Sequence, residues 1–563
     1  MSAERAPRQP GPVVDIRELR VAFATDGGDV VAVDGVSLQV QPGEILAIVG
    51  ESGSGKTVTA RSILGLLPET AALSGQVIVA GDDVASAPPR ELRAIRGVHA
   101  AMVFQEPSSV LNPVYTVGWQ IAEGLRAHGK VSRRAARAQA IEMLRRVGIP
   151  EPEARIDYFP HQFSGGQKQR IVIAMALILG PAVIVADEPT TALDVTVQAQ
   201  ILRLLLRRCR DEFGATVVLI THNMGVVADL ADRVIVMNGG RIVEEAPVER
   251  LFAQPADAYT QQLLAAVPRL SAGPSWSPAR AERVEGRERA QAQAPVVRAE
   301  HLRIEYPGRL GRKPFVAVPD ASFEIAPGEV LGLVGESGSG KTTIGRAMAR
   351  LAPVSGGSLE VLGVDLAEAG ERRFRPQRRR LGFVFQDPGT SFNPLMTIGH
   401  AIAEPIQVHG TAEERAGARQ RVEELLEAVR LPRAYADRFP HELSGGQRQR
   451  ASLARGLILG PDLLIADEPT SALDVSVQAA VLELFGELRE RFGFASLFIT
   501  HDLAVVDQVA DRVIVLYKGE IVEEGPTSAV LHAPTEPYTQ RLLASLPVPD
   551  PVAQRARRAA RSA

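Results

Sequence analysis

Hydrophobic and polar positions follow the same succession of patterns twice along the chain. In the first copy, alternation from Val30 to Val40 predicts a half-buried strand, and the apolar run Ile45 to Val49 predicts a buried one after a Pro42-Gly43 hinge. The second copy hinges at Pro327-Gly328. A glycine-rich loop follows, and a helix is predicted to begin at its lysine and run from Lys56 to Leu67. The amphipathic, Ala/Arg/Glu-rich stretches Val117 to Val147 and Ile398 to Val429 carry helical spacing. Short runs apolar at every position come next: Val183 to Ala186 and Val217 to Ile220, then Leu463 to Ala466 and Leu497 to Ile499. Strands apolar on both faces suit a parallel sheet covered by helices. The pattern therefore predicts an α/β core with an inserted helical lobe, present twice.

Identical short motifs mark the duplication. Gly50-Glu51-Ser52-Gly53-Ser54-Gly55-Lys56-Thr57 recurs as Gly335-Glu336-Ser337-Gly338-Ser339-Gly340-Lys341-Thr342. Ser164-Gly165-Gly166-Gln167 recurs as Ser444-Gly445-Gly446-Gln447, and Asp187-Glu188-Pro189-Thr190 as Asp467-Glu468-Pro469-Thr470. Self-similarity in this order means a duplicated domain. The expected limits are 13–270 and 296–547, with a linker over 271–295 that is rich in Ser, Pro, Arg, Glu and Gln. A basic tail over 548–563, with Arg555, Arg557, Arg558 and Arg561, is expected to be a solvated end.

Composition narrows the class. The chain has 563 residues, 45% of them hydrophobic, enough for several cores, and a net charge of −3 that recruits neither nucleic acid nor an anionic bilayer. Cys209 is the single cysteine, which excludes an intrachain disulfide and a cysteine-ligated iron–sulfur cluster and fits a reducing compartment. The polar start Met1 to Gly11 lacks the apolar stretch of a signal peptide. The longest apolar run, Ile171 to Ala186, is broken by Gly180-Pro181 and is too short to span a bilayer. A soluble, cytoplasmic chain is expected, whose membrane work passes through a partner.

The repeated motifs carry phosphate chemistry. A Gly-x-x-x-x-Gly-Lys-Thr loop between strand and helix is a P-loop: its glycines let backbone N–H groups curl round a phosphate, and the helix N-terminus adds a favourable partial charge. Lys56 and Lys341 would bridge the β- and γ-phosphates of ATP, and Thr57 and Thr342 would ligate Mg²⁺. Thr343 offers a second hydroxyl towards the α-phosphate where the first copy has Val58; backbone amides suffice there. Asp187 and Asp467, each ending an apolar strand, would hold Mg²⁺ through its water shell, and Glu188 and Glu468 would act as general bases on the attacking water. A carboxylate at a strand end is more commonly a helix cap or a surface charge, but paired acids repeated at the expected place reverse that weighting. His222 and His501 also follow apolar strands and are candidate γ-phosphate sensors.

With these residues assembled, both halves resemble ABC-type ATPase domains, the resemblance covering nearly everything outside the linker and termini. The Walker A and Walker B motifs are joined by the Ser-Gly-Gly-Gln signature, by Q-loop glutamines Gln105 and Gln386, and by D-loops Ala192-Leu193-Asp194 and Ala472-Leu473-Asp474. Phe163 stands where the signature usually has Leu; the copy keeps Leu443. The resemblance implies a RecA-like core with a helical subdomain in each half, Gln105 and Gln386 beside Mg²⁺, and a head-to-tail sandwich. In that sandwich Ser444, Gly445 and Gly446 would close on the ATP at Lys56, and Ser164, Gly165 and Gly166 on the ATP at Lys341. The segments Asp257 to Leu264 and Glu536 to Leu543, with Leu111-Asn112-Pro113 and Phe392-Asn393-Pro394, are similar to ATPases of dipeptide, oligopeptide and nickel importers. That subfamily implies two integral-membrane permeases, an extracytoplasmic solute-binding protein and a place on the cytoplasmic face of the inner membrane. It implies no nucleic acid, and Cys209 alone cannot ligate the cluster that some relatives carry. The competing class is the soluble tandem ABC ATPases that act on ribosomes, which usually bear a long charged helical linker. The transported solute touches other subunits, so peptide, glutathione, nickel chelate and opine stay open.

Overall fold

The computed structural model describes residues 11–25, 28–190, 198, 201–202, 204, 214–270, 294–308, 314–471 and 473–562, with side chains described only to 557 in the last stretch. Cys209, the D-loop Ala192-Leu193-Asp194, Ala472 and all but one residue of the stretch Ser271–Ala294 lie outside the described residues. The chain divides into two units. Unit 1 is Met1–Val267 with Asp474–Ser476 and Pro547–Ala563; unit 2 is Pro268–Leu473 with Val477–Leu546.

In unit 1 a six-stranded sheet runs in the order Arg241–Pro247, Arg233–Asn238, Ile45–Val49, Thr216–Ile220, Val183–Asp187, Ala100–Val103. The five strands from Arg233–Asn238 onward are parallel, and Arg241–Pro247 closes the edge antiparallel. Ile45–Val49, Val183–Asp187 and Thr216–Ile220 are buried at every residue, which is why their sequences are apolar without alternation. The two faces of one strand still differ. Leu46 and Ile48 pack against an antiparallel sheet, whereas Ala47 and Val49 pack with Met224, Val227, Leu251, Leu263 and Leu264. Each buried leucine contributes roughly 1.5–3 kcal/mol through the apolar area it removes from water.

Unit 2 repeats this sheet in the order Leu381–Val384, Leu463–Asp467, Ala495–Ile499, Val330–Val334, Arg512–Tyr517, Glu520–Pro526. The antiparallel sheets differ slightly in detail: Gly28–Val40, Val14–Thr25, Ala71–Val79 and Asp82–Asp83 in unit 1, and Phe315–Val318, Val297–Tyr306, Gly356–Val361 and Val364–Asp365 in unit 2, where Phe323–Ile325 also pairs with Val297–Tyr306. Apolar alternation does not mark the strand Val14–Thr25, because its pairing shifts register between Arg17 and Arg20, where Glu18 takes φ 48°. His301 repeats the irregularity at φ 49°.

Boundaries move for local reasons. The helix expected to reach Leu67 is Lys56–Ile63, since Gly65 turns left-handed at φ 61° and closes it. The stretch Val117 to Val147 is two helices, Val117–His128 and Arg133–Arg146, because Thr116 and Ser132 each cap a fresh start. Ile398 to Val429 becomes Ile398–His409, Ala412–Ala416 and Ala418–Ala428, restarted by the capping box of Thr411 and Glu414. The basic tail, expected to be a solvated end, is the helix Pro551–Ser562; Pro551 and Gln554 are buried, and the Gln554 side chain accepts from the Val548 N–H.

Candidate nucleotide site

Each P-loop joins a buried strand to a helix that begins at its lysine. In unit 1 the strand Ile45–Val49 leads through the loop to Lys56, with Gly55 as left-handed N-cap at φ 96°; Gly340 does the same at φ 104°. Only glycine fits the loop's first position. At Gly50, φ is 146° and a Cβ would lie 2.1 Å from the Met237 carbonyl oxygen; at Gly335, φ is 152° and the Cβ would meet the Leu516 carbonyl at the same distance.

The lysines sit inside the loops. Lys56 Nζ donates to the carbonyls of Gly50 (2.7 Å) and Glu51 (2.6 Å) and to Ser54 Oγ (3.3 Å). Lys341 repeats this with Gly335 (2.8 Å), Glu336 (2.8 Å) and Ser339 (3.5 Å). Burial pushes the Lys56 ammonium below its ordinary value, and nearby carboxylates, Glu188 and Asp187 among them, act against that.

Walker B meets Walker A through a hydroxyl. Thr57 Oγ1 lies 3.2 Å from Asp187 Oδ1, and Thr342 Oγ1 lies 3.0 Å from Asp467 Oδ1. Burial raises both aspartate pKa values, the adjacent glutamates add to it, and the threonine hydrogen bonds oppose it. A hydroxyl and a carboxylate held together, with the carboxylate short of solvation, form the oxygen donor pair a hard divalent cation takes. Among the described residues no group of three or more His, Cys, Asp and Glu gathers as a metal cluster, so the remaining ligands would come from the bound nucleotide and water.

The next residue along carries a second carboxylate. Glu188 and Glu468 stand at φ 46° and 47°, left-handed backbone that costs a non-glycine residue free energy and is concentrated at functional positions. Gln105 Nε2 donates to Glu188 Oε2 at 2.8 Å, and His222 Nδ1 lies 3.2 Å from Glu188 Oε1. In unit 2 the matching distances are 3.1 Å from Gln386 and 3.4 Å from His501. Burial alone would lower the pKa of both histidines, but the contact with glutamate outweighs it and the net direction is up. For Glu468, burial is likewise outweighed, here by His501 and Lys341, and its pKa is held down. Glu468 is thus held ionised although its side chain is largely buried.

Within each half the structure therefore brings together the P-loop, both acids, the Q-loop glutamine and the histidine. The signature segments are built as helix starts. Ser164 and Gln167 form a reciprocal capping box at the helix Gly165–Leu177, as Ser444 and Gln447 do at Gly445–Leu457. Phe163, the departure from Leu, is as buried as Leu443, so the apolar role is kept. Val58 packs on the apolar core, whereas Thr343 puts a hydroxyl on the same helix turn. Sequence reasoning overlooked Tyr259 and Tyr538, whose hydroxyls accept from the Glu51 N–H (3.0 Å) and the Glu336 N–H (3.2 Å). Each belongs to a repeated Tyr-Thr-Gln segment, and that repetition was the available signal.

A strand–loop–helix phosphate cradle with paired acids, built twice, defines a tandem P-loop ATPase. The ABC transporter family profile matches residues 33–191 and 318–471, and the profile of the oligopeptide/dipeptide transporter C-terminal region matches 243–295 and 522–563. The chain belongs to the ABC transporter family, as a fused ATP-binding protein of the oligopeptide/dipeptide importer type. The glutathione import ATP-binding protein GsiA of Escherichia coli (strain K12) is 45% identical, over 97% of this chain and 92% of its own length. The protein of the same name from Salmonella typhimurium is also 45% identical, over 97% and 91%. Among solved structures, the bacterial ABC transporter cassette MJ0796 is 30% identical with a TM-score of 0.38, over 42% of this chain and 98% of its own. The ribosome-acting alternative has no supporting observation.

Proposed function

We propose that each half binds ATP with Mg²⁺ at its own P-loop, and that the hydrolysis drives import of a small peptide-like solute, glutathione in particular. The observation that carries the catalytic reading is the doubled linkage of glutamine, glutamate and histidine beside a buried P-loop lysine. Lys56 and Lys341 exchange loop carbonyls for the β- and γ-phosphate oxygens, and the loop amides surround the β-phosphate. Thr57 with Asp187, and Thr342 with Asp467, hold the cation; when bound, Mg²⁺ neutralises charge developing on the phosphates. Glu188 and Glu468, aimed by the glutamine and histidine, take the proton of the attacking water at a carboxylate oxygen, and His501 and Lys341 hold Glu468 ionised. His222 and His501 orient that carboxylate and give a proton donor to the γ-phosphate edge, while Gln105 and Gln386 set its other oxygen and reach the cation. The signature amides of Ser164 to Gly166 and Ser444 to Gly446 offer further phosphate donors at helix starts.

Glutathione is supported by the two relatives named for its import. Among the described residues no helix is long and apolar enough to cross a membrane. We therefore assign transport to two permease subunits fed by a solute-binding protein, with this chain peripheral on the cytoplasmic face of the inner membrane. The surface after each Q-loop supports a docking role: Val114 is 71% exposed and Leu395 85%, and Tyr115 stacks on Trp119 at 4.1 Å. The test is uptake of radiolabelled glutathione by cells carrying the permeases and either the wild-type chain or Glu188→Gln/Glu468→Gln. Uptake lost in the variant supports the reading; equal uptake with no copy of this chain refutes it.

A further inference from the structure

The importer-type extension at the end of each half touches the loop that receives the triphosphate. In unit 1 the helix Ala258–Ala265 carries Tyr259, and its hydroxyl accepts from the Glu51 N–H at 3.0 Å across 208 residues of sequence. In unit 2 the helix Pro537–Ser545 carries Tyr538, which accepts from Glu336 N–H at 3.2 Å across 202 residues. The same bond in both copies is a repeated design rather than one incidental side-chain position.

The tyrosines are held from behind. Glu244, on the edge strand Arg241–Pro247, accepts the N–H groups of Ala256 (2.9 Å) and Asp257 (3.0 Å) at the turn before the first helix. Asp257 then caps Tyr259 N at 2.7 Å, and Leu263 and Leu264 pack under the P-loop strand beside Ala47 and Val49. Glu523 fixes the matching turn in unit 2 through Thr535 N at 2.7 Å. The two peptide groups flanking Glu51 are therefore gripped by different partners. Its N–H is held by the tyrosine, and its carbonyl by Lys56 at 2.6 Å. A triphosphate draws the lysine ammonium away from that carbonyl, and the tyrosine is the grip that does not depend on it.

We propose that Tyr259 and Tyr538 are positioning residues through which the C-terminal extensions hold the P-loops in their triphosphate-accepting shape and so set ATP affinity. The inference rests on the reading of both loops as ATP sites. Losing the hydroxyl strands a backbone donor, and a hydrogen bond of this kind corresponds to roughly a 3- to 10-fold change in equilibrium.

The test uses the full-length chain and equilibrium binding of a fluorescent ATP analogue with Mg²⁺, together with steady-state ATPase kinetics. Tyr259→Phe and Tyr538→Phe should each weaken one of two binding phases by about 3- to 10-fold, and the double variant both phases. KM for ATP should rise in step while kcat at saturation stays near wild type. Gln261→Ala and Gln540→Ala, on the same helices and bonded to Pro255 and Pro534, should leave Kd and KM unchanged. Phenylalanine variants that melt earlier but bind with wild-type Kd would overturn the inference, because the tyrosine would then only support the fold. A wild-type chain that fails to bind the analogue would instead overturn the ATP reading itself, and the inference with it.

Discussion

Replacing Glu468 by Gln removes one charge and almost nothing else. The side chain keeps its volume, stays within reach of Gln386 at 3.1 Å and His501 at 3.4 Å, and keeps the left-handed backbone at φ 47°. Thr342, Asp467 and Lys341, the groups proposed to hold Mg²⁺ and phosphate, are untouched. What is lost is the carboxylate that His501 and Lys341 hold ionised. General-base loss costs about 10²–10⁴-fold in rate, roughly 2.7–5.4 kcal/mol of barrier. Because Glu188 has the same surroundings, the double variant Glu188→Gln/Glu468→Gln should hydrolyse ATP at about 1% of the wild-type rate or less. It should still bind ATP and retain it unhydrolysed. The assay is phosphate release at saturating MgATP beside quantification of nucleotide carried through gel filtration. A double variant releasing phosphate at more than about a tenth of the wild-type rate would refute the general-base assignment.

The histidine pairs give a signed pH dependence. His501 has a raised pKa, so its stabilisation is complete below the ordinary imidazole value of about 6.5 and fades as pH rises through the raised one. Glu468 has a lowered pKa, so its share is present above about 4.3 and fades as pH falls through the lowered one. The melting gap between wild type and His501→Gln should be widest between about pH 4.5 and 6.5 and narrow by pH 9; a constant gap contradicts the pairing. Gly335→Ala should abolish ATP binding by unit 2 and destabilise it by at least ~1–3 kcal/mol in chemical denaturation, since its Cβ would sit 2.1 Å from the Leu516 carbonyl. Cysteines at Val110 and Thr390, in a Cys209→Ser background, should crosslink to cytoplasmic permease helices more efficiently in one nucleotide state; absence of any crosslink argues against docking there.

Features legible in the sequence were those whose chemistry is local. Strand, glycine loop and lysine are contiguous, so Lys56 and Lys341 could be placed without knowing the fold. Asp187, Glu188 and His222 stand at the ends of wholly apolar runs, and parallel order carries those ends to one edge of the sheet. Period-2 alternation failed where the backbone breaks it, as at Glu18, and helix length failed where a residue such as Ser132 or Gly65 supplies a cap. The tail helix was missed because an Arg-rich pattern resembles a solvated end, and only the burial of Pro551 and Gln554 distinguishes the two. Tyr259 was visible as a repeated residue but not as a neighbour of Glu51, because 208 residues separate them and only the sheet brings them together.

The left-handed backbone of Glu188 and Glu468 sets folding against the proposed catalytic role at one residue. Glycine takes that conformation freely and asparagine tolerates it far better than glutamate does. A selection that scores only melting temperature or expression will therefore drift towards Gly or Asn at these two positions and discard the proposed base while improving the fold. Stabilised versions of this chain are best sought by fixing Glu188 and Glu468 and screening on phosphate release, with the strain at both glutamates accepted as the condition for an aimed carboxylate.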